Sequence, residues 1–148
     1  MARVLIEIGE GQIVRNLLEN DLLELLTDAG AEVRLVTPGA RVPRFVERHG
    51  QPGVTLRDLP IGRRSRGEQY EFALSQLLLR RGQRRLQRSL HRRLGVRLAL
   101  AQSPEAERLV VEWKPDVVVG THLSQVYSRG MIAAARVRGI PTLGNLNS

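Results

Sequence analysis

The 148-residue sequence contains no cysteine, only 3% aromatic residues and no long apolar run. The absence of cysteine excludes disulfides, thiolate nucleophiles and cysteine-ligated zinc. The first strand-like segment, Val4 to Ile8, is interrupted by Glu7 and lacks the long apolar core of a signal peptide. No segment approaches the roughly 18 apolar residues that a membrane span requires. These absences predict a soluble domain that is not exported.

Several catalytic and binding motifs are also missing. The sequence has no G-x-S-x-G nucleophile elbow, and Ser124 lacks flanking glycines, so a serine hydrolase is not predicted. No Walker phosphate-binding motif occurs. The histidines and carboxylates show no spacing typical of metal ligands. We therefore predict no metal ion, and we predict no cofactor.

The residues that are present alternate between strand-like and helix-like segments. A first strand, a helix and a second strand follow one another within residues 3–36, and such a unit has parallel strands. We therefore predict one Rossmann-like, three-layer α/β/α domain over residues 1–148, with a mainly parallel sheet of about five strands. The predicted strands are Arg3–Ile8, Glu32–Val36, Gly53–Leu59 at the sheet edge, Val117–Val119 and one that begins at Ile140. The predicted helices are Ile13–Ala29, Pro43–His49, about Glu68–Leu100, one that begins at Ser103, and Ser128–Arg138.

A turn with two glycines follows the first strand in the segment VLIEIGEGQIVRN. A dinucleotide-binding fold has the pattern G-x-G-x-x-G/A at this place and an acidic residue near the end of the second strand. Here Val14 stands at the third glycine position, and the second strand ends in Val36 and Thr37. A nicotinamide or flavin dinucleotide is therefore disfavoured.

Two interpretations of the turn at Gly9 and Gly11 stay open. Gly9 and Gly11 let the backbone approach a ligand closely, and the start of the next helix offers N–H groups and a positive dipole end to a phosphate or sugar hydroxyl. The alternative is that the glycines only form a tight strand-to-helix turn. Glu10, between them, is either solvated or a carboxylate held above a crevice at the sheet edge.

A second polar cluster, Thr121, His122 and Ser124, follows the fourth predicted strand. In open α/β sheets, ligands bind outside the carboxyl ends of the strands, where the strand order reverses. We expect this cluster to lie opposite the glycine turn, with His122 able to titrate near neutral pH. His49 and His91 lie among arginines and are predicted to be exposed on helices.

The positive charge is concentrated in one segment. The formal net charge is +8, and residues 63–97 contain eleven arginines against only Glu68 and Glu71. The segment therefore carries +9, and the rest of the chain is close to neutral at −1. The arginines of its predicted helix are Arg80, Arg81, Arg84, Arg85, Arg88, Arg92 and Arg93.

The leucines of this segment indicate an amphipathic basic helix. Leu86, Leu90 and Leu94 recur every four residues, while Gly82 and Gly95 favour breaks. Such a helix can bind an anionic membrane surface or a phosphate-rich ligand. The alternative is a solvated face whose leucines pack on the sheet. Nucleic acid is disfavoured, because no recognition motif or stacking aromatic residue accompanies the arginines.

Two stretches of the sequence carry a family resemblance. They are RVLIEIGEGQIVRNLLENDLLELLTDAGAEVRLVTP and, further along the chain, KPDVVVGTHLSQVYSRGMIAAARVRGIPTLGNLNS. The glycine turn, the RN-LL helix, the PD-V strand and the AA…GIPT helix-strand pair resemble the N-terminal domain of GT-B-type glycosyltransferases, especially bacterial surface-polysaccharide enzymes. The resemblance covers both ends of the chain and is weak through the arginine-rich middle.

In that family two Rossmann-like domains face each other across a cleft, and the N-terminal one mainly holds the acceptor. The resemblance implies hexosyl transfer with Glu10 and His122 as catalytic residues, although the usual inverting base has no clear counterpart. It implies a substrate-binding role for Gly9, Gly11, Gln12, Asn16, Thr121 and Ser124. In family members that act on lipid-linked acceptors, one region of this domain meets the membrane. The resemblance implies that this region corresponds to the arginines of the basic helix, which are Arg80, Arg81, Arg84, Arg85, Arg88 and Arg92.

The resemblance also implies partners. The family continues into a donor-binding α/β domain, so we expect this chain to bind a sugar or lipid-linked glycan acceptor and to be inactive without that domain, in the same gene or as a separate subunit. The expected location is the cytoplasm, at the inner face of the membrane. Two alternatives stay open. One is a non-catalytic Rossmann-like binding or assembly module that recruits a partner subunit, and the other is a complete small enzyme with Glu10 or His122 as acid or base.

Overall fold

The computed structural model describes residues 1–9, 18–59, 66–93, 101, 103–121 and 126–144. The strands in these ranges are β1 (Arg3–Glu7), β2 (Glu32–Val36), β3 (Val54–Arg57), β4 (Val117–Gly120) and β5 (Thr142–Gly144). The helices are α1 (Leu22–Asp28), a 3₁₀ turn (Pro38–Arg41), α2 (Pro43–His49), α3 (Arg66–Arg80), α4 (Arg84–Arg92), α5 (Pro104–Trp113) and α6 (Val126–Val137).

The strands form one parallel sheet in the order β3-β2-β1-β4-β5, which confirms the predicted Rossmann-like α/β fold. β1 lies at the centre, where Val4 pairs with Val33 of β2 and with Val117 of β4. β3 lies at the edge, as predicted. The apolar runs of β1 and β4 suit a sheet that is covered on both faces.

Side chains of β1 alternate between two cores, one on each face of the sheet. Leu5 packs in the core that includes Trp113 of α5 and Met131 of α6. Ile6 packs in the other core, which includes Leu23 of α1. Helices on both faces therefore complete the three layers that were predicted.

The predicted helix from Ile13 to Ala29 is wrong as a continuous element. Glu19 to Asp21 form bends and a turn, and α1 begins only at Leu22. Asn20 Oδ1 accepts a hydrogen bond from the Leu22 backbone N–H at 3.1 Å. Asn and Asp side chains compete with helical backbone bonds in this way, which explains the break that the leucine spacing did not reveal.

The helix ends carry residues that are typical of helix caps. Ser103 caps α5 by accepting a hydrogen bond from the Ala106 N–H at 3.3 Å, with Pro104 in the first turn. Gly30 and Gly139 follow α1 and α6 with φ of 78° and 69°, a left-handed conformation that glycine adopts without strain. These caps fix where the chain turns back toward the next strand.

The long basic helix predicted over about residues 68–100 is two helices. α3 ends at Arg80 and α4 begins at Arg84, and between them Gly82 has a φ of 69°. The break expected at Gly82 is thus confirmed. The one expected at Gly95 lies outside the described residues.

The prediction that His49 is exposed is wrong. His49 ends α2, is 7% exposed, and its ring centroid lies 4.6 Å from that of Phe45. Burial, and secondarily the neighbouring Arg48, lowers the pKa of His49, while Glu19 acts in the opposite direction. The backbone of His91 lies in α4, but its side chain is outside the described part of the chain.

We expect His49 to make the fold less stable in mild acid. Its folded-state pKa is below the unfolded value of about 6.5, so unfolding takes up a proton as the pH falls through that value. Urea unfolding between pH 7.5 and 5.5, followed by the fluorescence of Trp113, should show a steeper loss of stability in the wild type than in His49→Phe. Parallel pH dependence in the two proteins would contradict this role.

Candidate functional site

The site begins where the strand order reverses. From β1 the chain proceeds to β2 and β3 on one side, and then crosses to β4 and β5 on the other. In open α/β sheets the usual ligand site lies at the carboxyl ends of the two strands where the order reverses, which here are β1 and β4. Glu7 and Gly120 are register partners at this edge. We call the edge formed by Glu7, Gly9, Gly120 and Thr121 the switch-point edge.

Glu7 is a fully buried carboxylate at this edge. It shares the sheet face of Leu5, which is covered by α5 and α6. Its Oε2 accepts a hydrogen bond from the hydroxyl of Ser128 in the first turn of α6. A buried carboxyl group is costly without such donors, so this contact ties the start of α6 to the end of β1.

The residue after Ser128 extends the polar contacts outward. Arg129 Nη1 donates to Glu71 Oε2 of α3 at 2.6 Å, and the side chains are only 6% and 5% exposed. Ser75, one turn further along α3, is also buried and accepts a hydrogen bond from Gln87 Nε2 of α4 at 3.3 Å. Polar side chains on α3, α4 and α6 therefore link the arginine-rich helices to the switch-point edge.

Thr121 follows β4 and is 4% exposed. Among the described residues its Oγ1 has no hydrogen-bond partner, although the atom is buried. Buried hydroxyl groups are normally paired, and leaving one unpaired costs about 1–3 kcal/mol. A ligand oxygen or N–H group at the switch-point edge would supply a partner for this hydroxyl.

Gly120 is required by packing. A Cβ at this position would lie 2.9 Å from Ile132 Cγ1 and 3.5 Å from the Ser128 carbonyl oxygen. A glycine here therefore lets the first turns of α6 approach the end of β4. That approach brings Ser128 within reach of Glu7.

The end of β2 is unsuited to a dinucleotide. Thr37 follows the strand, is 2% exposed, and accepts a hydrogen bond from the Gly39 N–H at 3.2 Å through its side-chain oxygen. In a dinucleotide site, an acidic side chain near this place would bind the ribose. Thr37 instead caps the 3₁₀ turn that follows it.

Comparison of this chain with protein-family models, curated proteins and solved structures gave no match. The fold and the side-chain geometry of the described residues therefore carry the functional argument.

Of the predicted substrate-binding residues, Gly9 follows β1 and Thr121 follows β4, so both lie at the carboxyl ends of neighbouring strands. The other predicted site residues lie outside the described residues and remain predictions. They are Glu10, Gly11, Gln12, Asn16, His122 and Ser124.

The predicted anionic-ligand arginines form a separate surface. Arg80 ends α3, Arg81 follows it, and Arg84, Arg85, Arg88 and Arg92 lie on α4, all exposed. The alternative in which the leucines pack on the sheet is wrong for Leu86, which is 57% exposed, while Leu90 is half-buried. Leu94 lies outside the described residues.

The sequence analysis missed Glu7, Glu71, Ser128 and Arg129 as site residues. Glu7 had a usable signal, since it is the one acidic residue in an otherwise apolar stretch of strand with both faces covered. The pair of Glu71 and Arg129 spans 58 positions and belongs to two helices, so no local pattern reveals it.

Proposed function

We propose that this chain is the acceptor-binding N-terminal domain of a GT-B-type glycosyltransferase in glycan or surface-polysaccharide synthesis. The observation that carries the proposal is the buried Thr121 hydroxyl at the switch-point edge, which has no partner among the described residues. Sugars and phosphates offer the hydroxyl groups and oxygens that such a site can bind. The chain would catalyse hexosyl transfer only with a donor-binding α/β domain.

The surroundings of Thr121 support a ligand rather than a purely structural role. The neighbouring polar groups, Glu7 and Ser128, already contact each other. Gly9 carries no side chain that could obstruct an approaching ligand. We place the acceptor sugar or its phosphate against Gly9 and Thr121, in the cytoplasm at the inner face of the membrane.

Replacing Thr121 by valine tests this assignment, because it removes the hydroxyl and keeps the shape. We expect Thr121→Val to weaken binding of a short-chain prenyl diphosphate hexose about tenfold, the loss of roughly one hydrogen bond. Its free energy of unfolding should stay unchanged or rise by about 1 kcal/mol, because a buried polar group without a partner is removed. Isothermal titration and urea unfolding measure the two quantities.

Thr142→Val is the matched control, since Thr142 is a half-buried threonine that begins the neighbouring strand β5. It should bind the probe as the wild type does. Equal affinity of wild type and Thr121→Val for the probe would exclude Thr121 from the site.

A further inference from the structure

A groove of about 440 Å³ lies along α3, where the described residues that line it are Arg66, Gln69, Tyr70 and Ala73. These residues recur at intervals of three and four positions, so they share one side of the helix. α3 has 15 residues, the most of any helix in the described ranges, and none of these helices is long and apolar enough to cross a membrane. The volume lies within the usual range for ligand sites, about 300–1,000 Å³.

The other side of α3 holds the groove in place. Glu71 and Ser75 lie on that side and are buried, and Glu71 Oε2 accepts a hydrogen bond from Arg129 Nη1 of α6. Arg129 follows Ser128, whose hydroxyl donates to Glu7 at the switch-point edge. An α-helix with its side chains is about 10 Å across, so the groove lies about that far beyond the contact of Glu71 with Arg129. The groove is therefore tied to the switch-point edge but separate from it.

The side chains of the groove suit a sugar ring. Tyr70 is 78% exposed, the largest exposure of any described aromatic residue, and its ring and the Ala73 methyl group offer apolar surface. The C–H groups on the face of a pyranose ring stack on aromatic rings, whereas the hydroxyl groups at its edge need hydrogen-bond partners. Arg66 and Gln69 carry N–H donors, and Gln69 and the Tyr70 hydroxyl also carry oxygens that accept. Apolar surface with a few polar groups around it is the usual composition of a ligand site.

Arg66 favours a sugar that carries a negative charge. Among the described residues, the Arg66 guanidinium makes no ion pair or hydrogen bond, and the Tyr70 hydroxyl makes no hydrogen bond. No carboxylate is among the described residues that line the groove. A planar guanidinium binds a carboxylate through two parallel N–H groups, a contact that Gln69 cannot make.

We infer that this groove binds an acidic sugar unit of a glycan chain, with the sugar ring stacked on Tyr70 and its carboxylate paired with Arg66. One sugar ring does not reach from the groove to the switch-point edge. The groove therefore holds a unit further along the chain than the one that would react. Only the identification of this glycan with the acceptor rests on the proposed function.

Isothermal titration with two trisaccharides tests the inference, with trigalacturonic acid as the acidic probe and maltotriose as the neutral one. The wild type should bind the acidic trimer about tenfold more tightly, and the difference should shrink as salt is raised. Tyr70→Ala should weaken binding of both trimers about tenfold, whereas Tyr70→Phe keeps the ring and should retain most of the binding. Arg66→Gln should remove the preference for the acidic trimer and leave the affinity for maltotriose unchanged.

Phe72→Ala and Arg44→Gln are the matched controls. Phe72 is an exposed aromatic residue of α3 that does not line the groove, and Arg44 is an exposed arginine of α2. Both variants should bind the trimers as the wild type does. Equal losses in Tyr70→Ala and Phe72→Ala, or in Arg66→Gln and Arg44→Gln, would overturn the inference, because they would indicate general apolar or charge effects. Failure to bind either trimer, or binding of uridine monophosphate alone, would also overturn it.

Fluorescence shows where the trimers bind. The indole introduced by Tyr70→Trp should change its emission when either trimer is added, after subtraction of the buried Trp113 signal of the wild type. Adding Thr121→Val should leave this change intact, because the groove is separate from the switch-point edge, and loss of the change would contradict a separate site. The titration with prenyl diphosphate hexose depends on Thr121 and not on Tyr70, so either proposal can fail without the other.

Discussion

Replacing Arg129 by methionine is expected to lower the free energy of unfolding by about 3–5 kcal/mol, the usual cost of removing one partner of a buried ion pair. The variant leaves the Glu71 carboxylate in a buried place after its arginine contact is lost. Neither the Coulomb attraction nor the hydrogen bond at 2.6 Å then offsets the desolvation of that charge. Urea titration followed by Trp113 fluorescence measures the change.

Two further variants test whether the loss of stability comes from the ion pair between Arg129 and Glu71. Arg136→Met makes the same change at an exposed position of α6 and should alter stability by less than about 0.5 kcal/mol. The double variant Glu71→Leu, Arg129→Met should recover most of the loss, because well-packed apolar groups often replace a buried ion pair without cost. A loss below about 1 kcal/mol in Arg129→Met would show that the pair does not hold α3 to α6.

Replacing Ser128 by alanine is expected to lower the free energy of unfolding by about 1.5–3 kcal/mol, the range for a hydrogen bond to a charged group. The change removes the hydroxyl that donates to the fully buried Glu7. The first turn of α6 would then lose its polar contact with the end of β1. The same urea titration measures this loss.

The control for this variant is Ser89→Ala, an exposed serine of α4, which should change stability by less than about 0.5 kcal/mol. Adding Glu7→Gln to Ser128→Ala should restore part of the stability, because a neutral amide costs less to bury than a carboxylate. If Ser128→Ala is as stable as the wild type, the hydroxyl does not support Glu7.

The sheet could be predicted because its signals are local. The apolar runs that form β1 and β4, the serine cap before α5 and the glycines after α1 and α6 each act within a few residues. The break before α1 also has a local cause. The leucines around it keep helical spacing, but the Asn20 side chain accepts a hydrogen bond from the Leu22 backbone N–H and so interrupts the helix.

The candidate site could be predicted only in part. That Gly9 and Thr121 lie at one edge follows from parallel strands and their order. The contacts from Glu7 to Ser128 and from Arg129 to Glu71 join residues 121 and 58 positions apart, and they depend on how α3 and α6 pack. Leucine spacing also left open that the basic helix packs through its leucines, whereas Leu86 of α4 is exposed and α3 buries Glu71 and Ser75.

These contacts give the switch-point edge a rigid base. Glu7 and Ser128 hold β1 to α6, and Gly120 lets α6 lie close to β4. A site for a sugar or phosphate benefits from such support, because the binding groups are then positioned before the ligand arrives. The hydrogen bonds from Arg129 to Glu71 of α3 and from Gln87 of α4 to Ser75 of α3 extend the same support to the helices that carry the exposed arginines.

We propose that this chain binds the acceptor and needs a donor-binding domain for catalysis. The most direct test is transfer of a radiolabelled hexose from its nucleotide sugar to a lipid-linked glycan, with the chain alone and with a separately supplied donor-binding α/β domain of a GT-B-type glycosyltransferase. We predict no transfer by the chain alone, transfer by the mixture, and reduced transfer when Thr121→Val replaces the wild type. Transfer by the chain alone at the rate of the mixture would contradict the account.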